Sequence, residues 1–258
     1  MSIQTNALNT TFLKSQDIMS RLSSGIRINK ASDDLANFAI AERKTSQLNG
    51  LNMAAKNLGD GVSLVQTADA ALQQGSDILQ QMRELSVQAN NGILNSSDRA
   101  NIQKQIDQLQ DEFESIAENA RFNNQALFDG SFSSNIQAGD SSSEGVKIQL
   151  GDLRSLIGNI DVTDESGADA AIQNIDSALE SINDTRSYLG ATQNRFESAM
   201  SELQNAAVMH GKSRSVIMDT DFAADISENE QNKILSKVQM AMLKKDDHAK
   251  TFLMELFE

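Results

Sequence analysis

Residues 22–34 read LSSGIRINKASDD, and they lead into the longest regular pattern of the chain. From Ser32 to about Asn90 the sequence predicts one helix, in which Ser32 caps the first free amides and Asp33 and Asp34 add favourable negative charge. Apolar residues recur at every seventh position along it: Leu51, Leu58, Val65, Leu72 and Leu79. Such a repeat indicates helices that pack along one another rather than a compact globule.

The composition narrows the possible function classes. The chain has 258 residues, no proline, no cysteine and no tryptophan, and a net charge of −14. The lack of cysteine excludes disulfides, thiolate catalysis and cysteine-ligated metals. The negative charge argues against nucleic acid or an anionic membrane as a partner, because both attract basic surfaces. No apolar run approaches the length of a membrane span, so we expect no membrane insertion.

Further amphipathic segments predict additional helices. Residues 3–28 carry apolar residues on one helical face: Leu8, Phe12, Met19, Leu22 and Ile26. Ser97 is the predicted cap of a second helix that ends near Asn119. A third helix is predicted over residues 166–209, and a terminal helix follows it.

The last two helices are predicted from capping boxes. Ser166 with Asp169 marks the start of the third helix, and Ser227 with Glu230 marks the start of the terminal helix. Within the long first helix, four glycines leave two alternatives open: Gly50, Gly59, Gly61 and Gly75. The glycines there indicate either close packing against a neighbouring helix or a bend at residues 59–61.

The composition changes between residues 122 and 165. Residues 126–128, 132–138 and 146–150 are predicted to form short strands around Gly-containing turns. This length is sufficient for a hairpin or two but not for a separate domain. The fold class predicted is therefore all-α, an elongated antiparallel helical bundle or coiled-coil rod with a small β-hairpin element near the middle of the sequence.

The lengths of these helices predict three regions. Residues 1–30 with 222–258 form a terminal coiled coil, residues 31–121 with 166–221 form a helical rod, and residues 122–165 form a short surface region. Packing of the rod is assigned to Leu51, Leu58, Val65, Leu72, Leu79, Ile175, Leu179, Leu189 and Phe196. Two thin terminal helices leave apolar surface uncovered, which predicts an assembly interface. That interface is assigned to Leu8, Phe12, Leu22, Ile26, Ile234, Val238, Met242, Leu253 and Leu256.

Candidate catalytic and metal-binding residues have simpler explanations. Asp33-Asp34, Asp219 with Asp221, and Asp246-Asp247 lie mostly at predicted helix starts or in polar turns, where capping and solvation account for them. His210 and His248 have no third ligand at metal spacing. We therefore expect no enzyme activity, no cofactor and no metal site.

Four motifs carry a resemblance to a known family. They are LSSGIRINKASDDLANFAIAER at residues 22–43, QMRELSVQ at 81–88, RFNNQALF at 121–128 and LGATQNRF at 189–196. In this order and on both flanks of the chain they resemble the sequence signatures of bacterial flagellins. The resemblance is to a short form that lacks the large outer variable domains.

The resemblance implies a structural subunit of the flagellar filament that self-assembles into a helical propeller for motility. It implies export without a cleavable signal peptide and an extracellular location in the filament. Implied partners are other copies of the chain, other flagellins, hook-associated and cap proteins, and an export apparatus and chaperone that bind the C-terminal segment.

Two surface features are also implied by the resemblance. Gln81, Leu85 and Glu112 match the surface that the innate flagellin receptor engages, although flagellins commonly have arginine at the position of Gln81. We therefore expect weak receptor activation. Ser141, Ser142 and Ser143 lie on the expected outer loop, where flagellins are often O-glycosylated.

Departures from the family pattern leave two alternatives. The segment before Leu22 is about two helical turns shorter than in most flagellins, and residues 244–258 are more charged and end acidic. A hook–filament junction protein shares the terminal patterns and is the nearest alternative. A soluble cytoplasmic coiled-coil adaptor is an alternative from a different class.

The terminal-helix assignment predicts that Leu256→Asp abolishes filament formation while the chain stays helical, because a carboxylate replaces an apolar group at the assembly face. Electron microscopy measures filament formation, and circular dichroism measures helix content. Normal filaments from this variant would refute the assignment.

Overall fold

A computed structural model describes residues 2–140 and 145–257, with side chains described at 6–140, 145–246 and 248. It contains the helices α1 (Ser2–Ser24), α2 (Leu35–Ala89), α3 (Ser96–Asn119), α4 (Glu165–Met218) and α5 (Phe222–Phe257). It also contains the strands β1 (Arg121–Phe122), β2 (Gln125–Ala126), β3 (Ser133–Gln137) and β4 (Gly145–Gln149), and a short 3-10 turn, Arg154–Leu156. The mainly helical fold class with a small β-hairpin is confirmed.

The long helix α2 is capped by Asp34, so the assignment of the cap to Ser32 was wrong. The Asn37 backbone N–H donates to Asp34 Oδ1 at 3.0 Å, and Asn37 Nδ2 donates to Asp34 Oδ2 at 2.6 Å. These two hydrogen bonds hold the pKa of the Asp34 carboxyl below its ordinary value. The Asp33 carboxylate instead accepts the amides of Asn29 and Lys30, which folds the chain into a turn before the helix.

The caps predicted for the three later helices, Ser97, Ser166 and Ser227, were also wrong, for one physical reason. An Asp or Asn just before each helix accepts its first amides directly, so the serine that follows is already helical. At α3, Asn95 Oδ1 accepts the amide of Ser97 at 2.8 Å, whereas the sequence prediction made Ser97 the cap. At α4, Asp164 Oδ1 accepts the Gly167 amide at 2.6 Å. At α5, Asp221 Oδ1 accepts the Ala223 amide at 3.0 Å.

The proposed capping boxes at Ser166–Asp169 and Ser227–Glu230 therefore do not form. Asp169 accepts a hydrogen bond from Asn90 Nδ2 at 2.6 Å, and Glu230 pairs with Lys233 at 2.7 Å. Each acidic side chain has a partner other than the predicted serine amide.

Helix α4 continues to Met218, well beyond the predicted end near Met209. Gly211 lies inside the helix, and a Cβ built there would meet nothing within 4 Å. A single glycine weakens a helix by about 1 kcal/mol and does not terminate it.

Helix α2 is unbroken through Gly59 and Gly61, and close packing, the other predicted alternative, is found at Gly61 and Gly75. A Cβ on Gly61 would lie 3.0 Å from Phe196 Cε2, and a Cβ on Gly75 would lie 3.2 Å from Phe113 Cε2. At these two positions the glycine allows an aromatic ring to reach the helix backbone. At Gly59 a Cβ would meet nothing within 4 Å.

The chain divides into two compact units. The terminal unit comprises residues 1–48 and 208–258, and the central unit comprises residues 49–207. The three-region division drawn from the sequence, with boundaries near residues 30 and 222, stays a prediction.

The central unit holds nearly all of the buried apolar side chains that the structure describes. The residues assigned to rod packing lie in this core, where Leu51, Leu58, Val65, Leu72, Leu79, Ile175, Leu189 and Phe196 are buried and Leu179 is half-buried. Phe113 and Ile106 of α3 join the same cluster. The seven-residue repeat of α2 is thus matched by apolar residues from α3 and α4.

The two hairpins lie between α3 and α4 in the sequence. β1 pairs with β2 around Asn123 and Asn124, which both have positive φ angles, as a tight hairpin turn requires. β3 pairs with β4 in antiparallel register from Ser133 opposite Gln149. Of the strand predicted over residues 126–128, only Ala126 is in a strand, because the chain leaves the hairpin to bury its next two side chains in the core.

The packing at Gly61 predicts that substitutions at Gly59 and Gly61, which lie two residues apart in α2, have opposite effects on stability. Gly59→Ala should raise the free energy of unfolding by about 0.5–1 kcal/mol, because it improves helix propensity without a steric conflict. Gly61→Val should lower it by about 1–3 kcal/mol, because the new methyl groups displace Phe196. Thermal and urea denaturation measure both values. Equal effects of the two substitutions would contradict the close contact at Gly61.

Candidate assembly interface

Helices α1 and α5 pack against each other in the terminal unit, and we call them the terminal pair. Several of its buried side chains are polar. Thr11, Asn229 and Asn232 are each less than a tenth exposed. Ser15 Oγ donates to Asn229 Oδ1 at 3.1 Å, and Asn229 Nδ2 lies 3.7 Å from Met19 Sδ. Hydrogen bonds rather than a large apolar seam therefore set the register between these helices.

An ion pair joins the end of α1 to the start of α5. Arg21 Nη1 lies 3.6 Å from Asp225 Oδ1, and its Nη2 lies 3.4 Å from the more exposed Asp17. The buried Asp225 carboxylate also accepts a hydrogen bond from the Thr220 hydroxyl. A buried carboxylate requires such partners, and Arg21 thereby fixes where α5 begins relative to α1.

The segment quoted from residues 22–34 forms main-chain bonds with the connection between α4 and α5. Helix α1 ends at Ser24, and Gly25 follows with a φ of +70°. Thr220 N donates to Gly25 O at 3.0 Å, and Arg27 N donates to Met218 O at 2.6 Å. The placement of Ile26 on the first helix was therefore wrong, because Ile26 is in a β-bridge with Asp219.

The terminal unit exposes an unusual share of apolar surface. Of the nineteen large apolar side chains that the structure describes as exposed, all but Met53, Val87, Ile93 and Tyr188 lie in this unit. Its only buried apolar residues among those described are Ile18, Ile28 and Ala41. Soluble monomers scatter exposed apolar residues singly, whereas concentration on one unit is typical of an interaction surface.

Part of this surface is a row along α5. Ile234, Val238 and Met242 are spaced four residues apart and are 60%, 46% and 59% exposed. Residues at this spacing lie above one another on one helix face. All three were assigned to the assembly interface from the sequence, and the structure leaves them uncovered.

The other residues assigned to that interface have different environments. Phe12 is 59% exposed, and Leu8, Leu22 and Ile26 are half-buried. The side chains of Leu253 and Leu256 lie outside the described residues. Ile18 is fully buried and was missed. Its spacing of seven from Thr11 and four from Leu22 was the available signal, but polar Thr11 weakened it.

A groove of about 500 Å³ lies on the terminal pair. Residues from both helices line it: Leu8, Asn9, Thr11, Phe12, Ser15, Asn232, Ser236 and Met240. Asn232 Nδ2 is buried and has no hydrogen-bond partner within the described residues. The surface that lines the groove is mostly apolar, so the groove suits an apolar side chain.

A second groove, of about 470 Å³, lies between α2 and α3 in the central unit. It brings together Gln81, Leu85 and Glu112, the three residues assigned to the receptor-like surface. Gln81 and Glu112 are exposed, and Leu85 is half-buried against the core. The assignment to a receptor stays a prediction, and Ser141, Ser142 and Ser143 lie outside the described residues.

The carboxylates considered as catalytic candidates have structural partners where the structure describes them. Asp33, Asp34 and Asp221 hold turns or caps, and the Ser215 hydroxyl donates to the Asp219 carboxylate. Within the described residues, no group of three or more His, Asp or Glu side chains has an arrangement that could hold a metal ion. Among the helical residues that the structure describes, no helix is both long and apolar enough to cross a membrane.

Two family models of known proteins match this chain. The family model for the bacterial flagellin N-terminal helical region matches residues 1–133, and the model for the bacterial flagellin C-terminal helical region matches residues 172–257. The chain belongs to the bacterial flagellin family. Flagellins are structural proteins, and the role of a structural subunit of the flagellar filament, as expected from the sequence, is confirmed.

Individual flagellins and flagellar filament proteins are similar to this chain over most of their own length. A flagellin from Halalkalibacterium halodurans is 39% identical over 88% of this chain and 86% of its own. A flagellar filament 33 kDa core protein from Treponema phagedenis is 35% identical over 96% of this chain and 94% of its own. The crystal structure of Bacillus cereus flagellin is similar to this chain with a TM-score of 0.54 and 32% sequence identity. The match covers 57% of this chain and 88% of the Bacillus cereus chain.

The ion pair in the terminal pair predicts a matched comparison of two aspartates. Asp225→Ala should lower the opening free energy of the first turns of α5 by about 1–3 kcal/mol, because it leaves Arg21 and Thr220 without their buried partner. Asp17, whose side chain is 63% exposed, is the control. Asp17→Ala should change the value by less than about 0.5 kcal/mol. Hydrogen exchange measures both, and equal effects would contradict the assigned role of Asp225.

Proposed function

We propose that this chain polymerises into the filament through the terminal pair, with its exposed apolar row on α5 and its groove as contact surfaces. The observation that carries the proposal is the concentration of exposed large apolar side chains in the terminal unit. These surfaces would become buried when neighbouring subunits supply the apolar contacts that one chain lacks.

Energetic reasoning supports an intermolecular role for these residues. Burying one Val, Leu, Ile or Met side chain contributes about 1.5–3 kcal/mol. Inside the terminal pair this contribution is small, because polar residues such as Asn229 and Asn232 occupy much of the buried seam. A row that includes Ile234, Val238 and Met242 therefore gains most of its burial only on association.

The proposed contact is heterologous. The row of Ile234, Val238 and Met242 differs from the groove in shape and in residues, so a row on one subunit would meet a groove on the next. A contact of this kind, repeated by a rotation that does not close, produces an open helix.

Charge adds a condition to the proposed assembly. Each subunit carries a net charge of −14, so neighbouring copies repel one another at low ionic strength. Salt screens this repulsion and leaves apolar burial as the driving force. Assembly should therefore increase as the salt concentration is raised.

The finer expectations from the sequence rest on the family resemblance. They are an extracellular location reached by export through the C-terminal segment, contacts with hook-associated and cap proteins, co-assembly with other flagellins, and weak binding of the innate receptor at Gln81, Leu85 and Glu112. Each stays a prediction. The length of the polymer distinguishes a filament subunit from a junction protein, because filament subunits add without limit whereas a junction protein adds only a few copies.

The proposed row predicts that Val238→Asp raises the critical concentration for polymerisation at least about tenfold, because a carboxylate replaces a side chain that becomes buried. Lys237→Ser is the control, since it changes the net charge equally on an exposed polar face of the same helix. Sedimentation of seeded assemblies and electron microscopy measure polymer formation.

The expected result is normal assembly of Lys237→Ser and failure of Val238→Asp, with similar helix content in both variants. Normal filaments from Val238→Asp would refute the row as a contact surface. Failure of both variants would show that charge rather than apolar burial governs assembly, which would also contradict the proposal.

A further inference from the structure

The turn between α2 and α3 contains Asn91 followed by Gly92. In this dipeptide the small glycine shields the asparagine side chain least from attack by the following backbone nitrogen. We propose that Asn91 is a site of spontaneous modification, at which the asparagine is converted to a mixture of aspartate and isoaspartate. The inference does not depend on the polymerisation interface, because the residues that support it all lie in the central unit.

The reaction needs only water as a co-reactant. The backbone nitrogen of Gly92 attacks Asn91 Cγ, a C–N bond forms, and the side-chain nitrogen leaves as ammonia with the proton lost by the Gly92 amide. The product is a five-membered succinimide ring. Water then adds to one of its two carbonyl carbons and breaks that C–N bond, which yields aspartate or isoaspartate.

The side chain of Asn91 lies beside the peptide that would attack it, in a part of the chain outside the regular helices. Asn91 lies beyond the last residue of α2, Ala89, and both Asn91 and Gly92 are exposed. The Ile93 backbone N–H donates to Asn91 Oδ1 at 3.3 Å, so the side-chain amide folds forward across the Gly92 peptide. The same donor stabilises negative charge on Oδ1 when Cγ becomes tetrahedral.

The attacking nitrogen is also accessible. Within the described part of the chain, the Gly92 N–H makes no hydrogen bond. A Cβ built on Gly92 would meet nothing within 4 Å, so open space lies beside this residue. Gly92 itself adds no side chain that would shield its nitrogen.

The chain contains an internal control with the same dipeptide. Asn49 and Gly50 lie inside α2, where the helical backbone holds the following amide in its i→i−4 hydrogen bond and away from Cγ. Asp140 closes this site further, since its Cβ lies 3.1 Å from the position of a Gly50 Cβ. Reaction at Asn49 therefore requires local opening of the helix.

Modification would also alter the connection to α3. Arg99 Nη2 donates to Asn91 O at 3.2 Å, and Arg99 Nε donates to Ala89 O at 2.9 Å, so one guanidinium caps the end of α2. Isoaspartate inserts a methylene group into the main chain and displaces the Asn91 carbonyl from Arg99. Aspartate leaves the main chain unchanged and adds a carboxylate close to the guanidinium.

The test is to incubate the purified full-length protein at neutral pH and to follow the tryptic peptides 84–99 and 45–56 by mass spectrometry. Conversion is detected as the mass increase that accompanies replacement of an amide by a carboxyl group. Fragmentation localises it, and isoaspartate is separated from aspartate by chromatography. In the folded protein we expect Asn91 to react at least about tenfold faster than Asn49, because only Asn49 requires helix opening.

Two further measurements make the result decisive. In urea, Asn49 and Asn91 should react at similar rates, because the unfolded chain presents the same dipeptide twice. Gly92→Ala should fold normally, since the added methyl group meets open space, and it should slow reaction at Asn91 several-fold by shielding the nitrogen. Equal rates at Asn49 and Asn91 in the folded protein, or an unchanged rate in Gly92→Ala, would overturn the proposal.

Discussion

The main-chain bonds between residues 25–27 and 218–220 are the constraint on which the terminal unit depends. They join the segment that follows α1 to the connection between α4 and α5, although most of the sequence separates the two segments. Gly25 is required there because its φ of +70° turns the chain out of α1 toward this pairing. The ion pair between Arg21 and Asp225 and the hydrogen bonds of Asn229 follow from that alignment.

The two units divide their apolar surface in opposite ways. In the central unit the repeat of α2 finds apolar partners on α3 and α4, so its side chains are buried within one chain. In the terminal unit the seam is partly polar, and most of the large apolar side chains that the structure describes on α5 are exposed. One unit therefore has a complete apolar core, whereas the other leaves apolar side chains exposed, a division that suits a protein of a filament-forming family.

Polar side chains determine most local features of this fold. Each helix from α2 to α5 begins behind an Asp or Asn that accepts its first amides. Gln103 fixes an extended segment to α3, since its amide donates to Ile160 O and accepts from Val162 N, both at 2.7 Å. Such short-range bonds fix where elements begin, whereas apolar periodicity fixes which faces are buried.

The sequence alone determined the helical class, the buried repeat from Leu51 to Leu79 and the family. These depend on periodicity and on short motifs, which can be read from the sequence without knowing which distant segments meet. It did not determine which of two possible cap residues is used, since Ser32 and Asp34 are both suitable and only the backbone path selects one. Nor could it place Ile18 inside, Ile26 in a bridge, or Phe196 against Gly61. Those outcomes depend on which distant segments meet, and only the tertiary structure decided them.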